Sequence, residues 1–154
     1  MKRWRLYGIV LIAAMLLRAG LFRGTDVGAL LPVEVVLVER EHGMIKISTD
    51  ADAEGRGITV HAAISDLKET ARGEIFLETV DYIMVREKTD EILPELTQYL
   101  RPACGICVLR GDAALKDLAG YLRVHPPKQT LRDYCDGEKR MPVLQVEQGR
   151  MSFG

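Results

Sequence analysis

The sequence is poor in residues on which several classes of protein depend. Its 154 residues include only three cysteines and one tryptophan, and aromatic residues make up 6%. An odd number of cysteines does not form the disulfide framework of a small secreted scaffold. The chain has no internal repeat or low-complexity tract, and Gly55-Arg56-Gly57 is too short for a phosphate-binding loop and lacks its Lys-Ser/Thr pair. Neither a disulfide scaffold nor a P-loop nucleotide site is therefore expected.

The charge is distributed unevenly between the start of the chain and the rest. Residues 1–23 hold five basic and no acidic residues, which leaves 16 of the 21 basic residues against 22 acidic ones, a net charge of −6. Nucleic-acid binding needs clustered cations, commonly interleaved with aromatic residues, and no such patch is present. We therefore expect no nucleic-acid partner.

The first 23 residues have the layout of an export signal. Lys2, Arg3 and Arg5 precede an uncharged run from residue 6 to residue 17. Basic residues followed by a short apolar run are typical of a secretory signal or an N-terminal membrane anchor. The basic residues stay at the cytoplasmic face of the membrane, so the rest of the chain should be exported. The run is shorter than the ~20 residues of a relaxed spanning helix, and both a cleaved signal and a retained anchor remain open.

Residues 24–154 are predicted to form one α/β domain. Apolar runs predict strands at 33–40, 44–49, 75–85, 105–110 and 143–146, the first two joined as a hairpin by His42-Gly43. Helical spacing predicts helices after Thr59, from Thr89 to Leu100 and after Asp112, with a short helical piece at 131–134. The expected fold is a mixed sheet of about five strands with three helices packed on it. Residues 50–57 are expected to be a loop.

Cys104-Gly105-Ile106-Cys107 is the one string that suggests an enzyme, a small exported thiol oxidoreductase. That chemistry needs the first thiol at a helix N-terminus, where the dipole stabilises the thiolate. Here a helix is predicted before the motif and a strand after it. In a strand, residues three apart point to opposite faces, which favours Cys107 as a core residue and Cys104 at a loop edge.

Other candidate ligands are incomplete as sites. Cys104, Cys107, Cys135 and His125 have the ligand count of a zinc site but not its spacing. Asp50, Asp52 and Glu54 with Gly55 match the first half of a calcium loop, but His61 stands where a bidentate Glu is needed. No nucleophile string accompanies His42, His61 or His125. We assign no catalytic, cofactor-binding or metal-binding residue.

Several strings, in order, resemble the N-terminal domain of the Ger(x)C family, the C subunits of spore germinant receptors. The opening pair of strands is similar to residues 35–48, and a Gly-x-Thr-aliphatic-x-x-Ala helix start is matched by 57–63. Further strings are matched by Tyr82 to Glu87, by a helix with Ile92-Leu93, Tyr99-Leu100 and Arg101, by Val108 to Ala113, and by Met141 to Leu144. The family's lipid-modified Cys is absent, Glu39 stands where Asp is common, the segment from Glu69 to Glu74 is short, and the chain stops before the further domains of the family.

The resemblance implies a non-enzymatic, membrane-associated protein on the extracytoplasmic side of the spore inner membrane. Its partners would be membrane-embedded receptor subunits, and its role in germination would be carried out through protein–protein contacts without a cofactor. The chain would be a single-domain relative, with residues 24–154 as its Ger(x)C N-terminal-like domain, or a fragment of a longer one. An orphan envelope binding protein is the remaining alternative to the oxidoreductase.

Overall fold

Strands and helices alternate along the part of the chain that the structure describes, residues 30–154 of a computed structural model. The elements are β1 (Leu30–Pro32), β2 (Val35–Glu41), β3 (Met44–Thr49), β4 (Glu54–Gly57), α1 (Val60–Thr70), β5 (Glu74–Phe76), β6 (Tyr82–Val85), α2 (Leu93–Leu96), β7 (Gly105–Arg110), α3 (Leu115–Val124), α4 (Leu131–Cys135), β8 (Val143–Glu147) and β9 (Arg150–Phe153). The proposed leader, residues 1–23, lies outside the described residues.

Seven of the strands form one mixed sheet in the order β4-β3-β2-β6-β7-β8-β9. β2, β6, β7 and β8 are parallel to their neighbours in this series, and an antiparallel hairpin extends the sheet at each side. β1 and β5 form a separate parallel pair. The predicted α/β class and mixed sheet are confirmed, with more strands than the five expected.

The sheet divides the apolar residues into two cores because alternate residues of a strand face opposite sides. The larger core takes Val36 and Val38 of β2 and is covered by α1, α2 and α4. The smaller core takes Val35 and Leu37 and is covered by α3. The central strands are therefore buried on both faces, as a near-continuous apolar run predicts.

Capping residues set several boundaries as the sequence predicts. Thr59 begins α1, its hydroxyl accepting a hydrogen bond from the Ala62 amide at 3.2 Å. Pro94 lies in the first turn of α2, one of the two arrangements expected for it. His42 and Gly43 both have positive φ, which a tight two-residue hairpin requires. The short helical piece expected at 131–134 is α4.

Other boundaries differ from the prediction. The expected strand at 75–85 is broken by a 3₁₀ turn at Leu77–Thr79 into β5 and β6. The helical pattern from Thr89 is a 3₁₀ turn and the single turn of α2. Asp112 does not cap α3: the helix begins at Leu115, and the Asp112 carboxylate pairs with Arg86 instead. Half of the predicted loop at 50–57 is β4, and β9 was not predicted.

Two glycines of β4 allow α1 to lie directly on the strand backbone. A Cβ at Gly55 would lie 2.2 Å from the Ala63 carbonyl oxygen, and one at Gly57 would lie 2.4 Å from the Ala63 amide nitrogen. Neither neighbour can give way, because both belong to the helix backbone. The Gly-x-Gly spacing places both glycines on the face of β4 that meets the helix.

Gly55→Ala should therefore destabilise the protein by about 1–3 kcal/mol through overpacking. The matched control is Gly120→Ala in α3, where an added Cβ meets nothing within 4 Å. The control should stabilise by about 0.5–1 kcal/mol, because Ala is the better helix former. Urea unfolding followed by circular dichroism measures both, and equal effects would contradict the close approach.

Candidate functional site

The two cysteines of the Cys-x-x-Cys string lie in different cores. Cys104 belongs to the larger core, where its thiol donates to the Val80 carbonyl at 3.0 Å. Cys107 belongs to the smaller core, on the other side of β7. All three cysteines are free thiols. An intramolecular disulfide would need the thiols on one side of the sheet.

The surroundings of these thiols oppose thiolate formation. Burial raises the pKa of Cys104, and it raises the pKa of Cys107 to about 12. A redox cysteine needs a lowered pKa at a helix N-terminus, whereas Cys107 is followed by the extended residues of β7. The geometry that the oxidoreductase hypothesis requires is therefore missing at this motif.

The remaining zinc candidates are not brought together either. Cys135 is exposed at the end of α4, and His125 follows the last residue of α3. Within residues 30–154, no group of three or more His, Cys, Asp or Glu side chains is placed to hold a metal ion. His61 has a different contact, with its Nδ1 2.9 Å from the Tyr99 hydroxyl.

The acidic residues of the calcium-like loop are engaged by the protein itself. Asp50 accepts hydrogen bonds from the backbone amides of Glu34 and Val35 at 3.1 and 3.2 Å, which fixes the start of β2. Asp52 pairs with Lys116 at 2.6 Å. Glu54 pairs with Lys46 at 3.3 Å. The carboxylates that a cation would need are therefore already bonded to other groups of the protein, where they stabilise the fold.

Ion pairs also cover the carboxyl ends of the parallel strands, where open α/β sheets commonly bind ligands. Arg86, directly after β6, donates from Nη1 to the Gly111 carbonyl at 2.5 Å and from Nη2 to Asp112. Its Nε lies 3.4 Å from a carboxylate oxygen of Glu39. Glu39 also pairs with Lys46 at 3.3 Å. Burial acts to lower the pKa of Lys46, but the hydrogen bonds and the charge attraction of Glu54 and Glu39 together raise it above its usual value.

An apolar cavity of about 470 Å³ opens at the outer edge of β7. This edge has two successive partners. At the start of β7, Gly105 forms a bridge with Thr130 and Ile106 N donates to Gln129 O at 2.9 Å. Further along, β8 pairs with Val108 to Arg110. The cavity lies where one partner gives way to the other. Its lining residues are Pro126, Pro127, Lys128, Gln129, Glu138, Arg140, Met141, Pro142 and Phe153.

Gln129 has an unusual environment in this lining. The residue is 5% exposed, and its side-chain Nε2 donates to the Glu138 carbonyl. Its Oε1 is the one buried side-chain nitrogen or oxygen of residues 30–154 that no hydrogen-bond donor reaches. Rotating the amide by half a turn would set two acceptors against each other, so the orphan atom is the oxygen. An unsatisfied buried polar group costs about 1–3 kcal/mol.

Sequence reasoning did not identify this cavity. Pro126-Pro127 marks an interruption after α3, but the lining is assembled from three separate stretches that only the fold brings together. The approach of Pro127 to β7 depends on Gly105, where an added Cβ would lie 2.7 Å from the proline Cγ. No periodic pattern in the sequence reports such a contact.

Comparisons of the chain with protein-family models, with curated proteins and with solved structures give no match. In residues 30–154, no helix combines the length and the apolar character needed to cross a bilayer. The Ger(x)C resemblance therefore remains a prediction based on the sequence strings.

The three thiols should differ in their reaction with a thiol reagent at pH 8. Cys135 should react within seconds, whereas Cys104 and Cys107 should react only on unfolding, because they are buried and their pKa values are raised. Mass spectrometry of the labelled protein, before and after denaturation, locates each adduct. Rapid labelling of Cys104 or Cys107, or an oxidised Cys104–Cys107 pair in the folded protein, would contradict this arrangement.

Asp50→Ala should destabilise the protein by about 1–3 kcal/mol, because the buried start of β2 loses the acceptor for two backbone amides. Asp50→Asn keeps one side-chain oxygen and should cost less. Asp52→Asn is the matched control: it removes an exposed ion pair and keeps a residue that tolerates the positive φ of this position, so it should cost less than about 0.5 kcal/mol. Urea unfolding measures all three, and equal losses at the two positions would refute the anchoring role.

Proposed function

We propose that this chain is an exported, membrane-associated, non-enzymatic protein that takes part in spore germination through protein–protein contacts. In this proposal its place is the extracytoplasmic side of the spore inner membrane. Its partners there are membrane-embedded receptor subunits, as for the first domain of the C subunit in the Ger(x)C family. Residues 1–23 bring the domain to the membrane as a signal or an anchor.

The observation that carries the proposal is the order and spacing of the strings that resemble the family, and the string from Gly57 to Ala63 is one of them. Each residue that defines it has a physical role at one place in the fold. Gly57 leaves room for the helix backbone, Thr59 caps α1, and Val60 and Ala63 are buried residues of α1. A relative with the same spacing would gain the same packing, which explains why these residue types occur together.

Four of the other strings that suggest the family lie on or beside separate strands of the sheet in the same order. The opening pair is the β2–β3 hairpin, Tyr82 to Val85 is β6, and the Val108-Leu109-Arg110-Gly111 string closes β7. Pro142 directly precedes β8. These positions support the family hypothesis, whereas Tyr99 to Arg101 and Asp112-Ala113, which the resemblance assigns to helices, lie outside the helices of this fold.

The proposed mechanism is the docking of one surface, with no bond made or broken. Few large hydrophobic residues of the described chain are exposed, and they belong to different segments: Met44, Ile58, Phe76 and Val124. Charged side chains occupy much of the remaining surface. We therefore expect a contact rich in polar interactions, of the kind found between domains that assemble reversibly.

The test is an immunoblot of membrane and soluble fractions from growing cells, sporulating cells and dormant spores. The proposal predicts the protein in the inner-membrane fraction of spores alone, and the band size reports whether the leader is removed. A variant with Leu11→Arg and Ile12→Arg interrupts the apolar run and should leave that fraction. Gly120→Ala, a surface change in α3, is the control and should fractionate normally.

Abundance in the envelope of growing cells, with none in spores, would overturn the germination role. That distribution would favour an envelope binding protein, since the domain contains an apolar cavity of suitable size for a small molecule. Deletion of the gene gives a second readout, because a receptor component should slow the germination of otherwise normal spores.

A further inference from the structure

We propose that two copies of this chain associate through the outer edges of their β9 strands, which join the two sheets into one around a two-fold axis. This inference does not rest on the germination role. It rests on a difference between β4 and β9, the two edge strands of the seven-stranded sheet, and on a register in which β9 is complementary to itself.

The edge formed by β4 is closed by side chains of α1. The Arg56 amide donates to a carboxylate oxygen of Asp66 at 2.8 Å. The Thr70 hydroxyl donates to the Glu54 carbonyl, also at 2.8 Å. Asp66 and Thr70 both belong to α1, so the helix bonds backbone groups of β4 that a neighbouring strand would need. A further strand at this edge would have to displace both side chains, and natural sheets commonly protect their edges by covering them.

The edge formed by β9 is open. The Gly154 amide donates to the Val143 carbonyl at 3.0 Å, which shows that residues 150, 152 and 154 turn their backbone groups towards β8. Because an antiparallel ladder alternates, Met151 and Phe153 turn their N–H and C=O groups away from β8. Within residues 30–154 these groups have no hydrogen-bond partner. The strand also contains neither a proline nor a bulge, two features that keep edge strands from pairing.

The open edge fits the same edge of a second copy. In an antiparallel pair centred on Ser152, Met151 of each copy lies opposite Phe153 of the other, and these residues exchange their outward hydrogen bonds. The two pairs together form four backbone hydrogen bonds and use every open group of both edges. The Met151 thioether then lies beside the Phe153 ring of the other copy, which is a favourable contact. A strand this short gives a weak and reversible dimer.

Charge and geometry agree with this register. Arg150 is the one charged residue of β9, and it lies opposite Gly154 of the other copy, so the two arginines do not meet. The axis is perpendicular to the sheet, which leaves the larger cores of both copies on the same side. Leu31 of β1 packs against that core, so both N-terminal segments leave the dimer on this side, where one bilayer can receive them. Because β4 is closed, association ends at two copies.

Cysteine cross-linking tests both the association and its register. Ser152→Cys is introduced together with Cys135→Ser, because Cys135 is the exposed thiol of the three and the other two are buried. At the two-fold axis the residues at position 152 form a non-hydrogen-bonded pair, with Cα atoms about 4.5 Å apart, which a disulfide can span. The full chain in detergent micelles, oxidised with diamide, should therefore give a covalent dimer on a non-reducing gel.

The matched control is Arg150→Cys in the same background. This position is also exposed and lies on the same strand, but the two copies hold it about 13 Å apart, beyond the reach of a disulfide. We expect about tenfold more covalent dimer from Ser152→Cys than from this control. Adding Met151→Pro to Ser152→Cys removes an outward amide that β8 does not use, and should lower the yield to that of the control.

Equal yields from the two cysteine variants would overturn the proposal, since chance collisions or a shared micelle would link both positions alike. An undiminished yield with Met151→Pro, in a variant that circular dichroism shows to be folded, would do the same. Sedimentation equilibrium of the parent chain in density-matched micelles needs no substitution and should give a monomer–dimer equilibrium. A monomer at every concentration, or species larger than a dimer, would also contradict pairing through β9.

Discussion

The structure depends on burying both faces of its central parallel strands. Each of β2, β6 and β7 must present an apolar side chain to two different cores at successive positions, and each fully buried aliphatic side chain contributes about 1.5–3 kcal/mol relative to exposure. This requirement sends Cys104 and Cys107 to opposite sides of the sheet. Along the sheet, it also restricts polar and charged side chains to the segments beyond the strand ends and to the two outer hairpins.

Most charged groups beside the strand ends have structural partners. Asp50 holds the first amides of β2, and Arg86 joins Glu39 to the segment after β7. Arg123 of α3 pairs with Glu34, which directly precedes β2. Such contacts fix register where apolar packing is weakest. These contacts explain why the acidic residues that suggest half of a calcium-binding loop in the sequence stabilise the fold in the structure.

What could be predicted from the sequence follows from the strength of its patterns. The runs of β2 and β7 and the face of α1 contain the apolar residues that carry the cores, so their positions were evident. β4 was missed because Glu-Gly-Arg-Gly contains no apolar side chain, and its strand form depends on pairing with β3 beneath α1. Asp112 was expected to cap α3, but the helix begins at Leu115 and the Asp112 carboxylate pairs with Arg86 instead. No sequence pattern predicts the cavity, because its walls come from three separate stretches that only the fold brings together.

The topology explains why a cavity would lie at the edge of β7 and not at the usual place. Open α/β sheets bind ligands outside the carboxyl ends of their strands, at the point where the strand order reverses. Here β2, β6, β7 and β8 follow one another across the sheet in chain order, so this series has no reversal, and Arg86 and its partners cover the carboxyl ends. A gap forms instead where the neighbour of β7 changes from Gln129 and Thr130 to β8. Where a strand edge passes from one neighbour to the next, the regular ladder of backbone hydrogen bonds is interrupted. Gln129 lies at this interruption, and its Oε1 has no hydrogen-bond donor among the described residues.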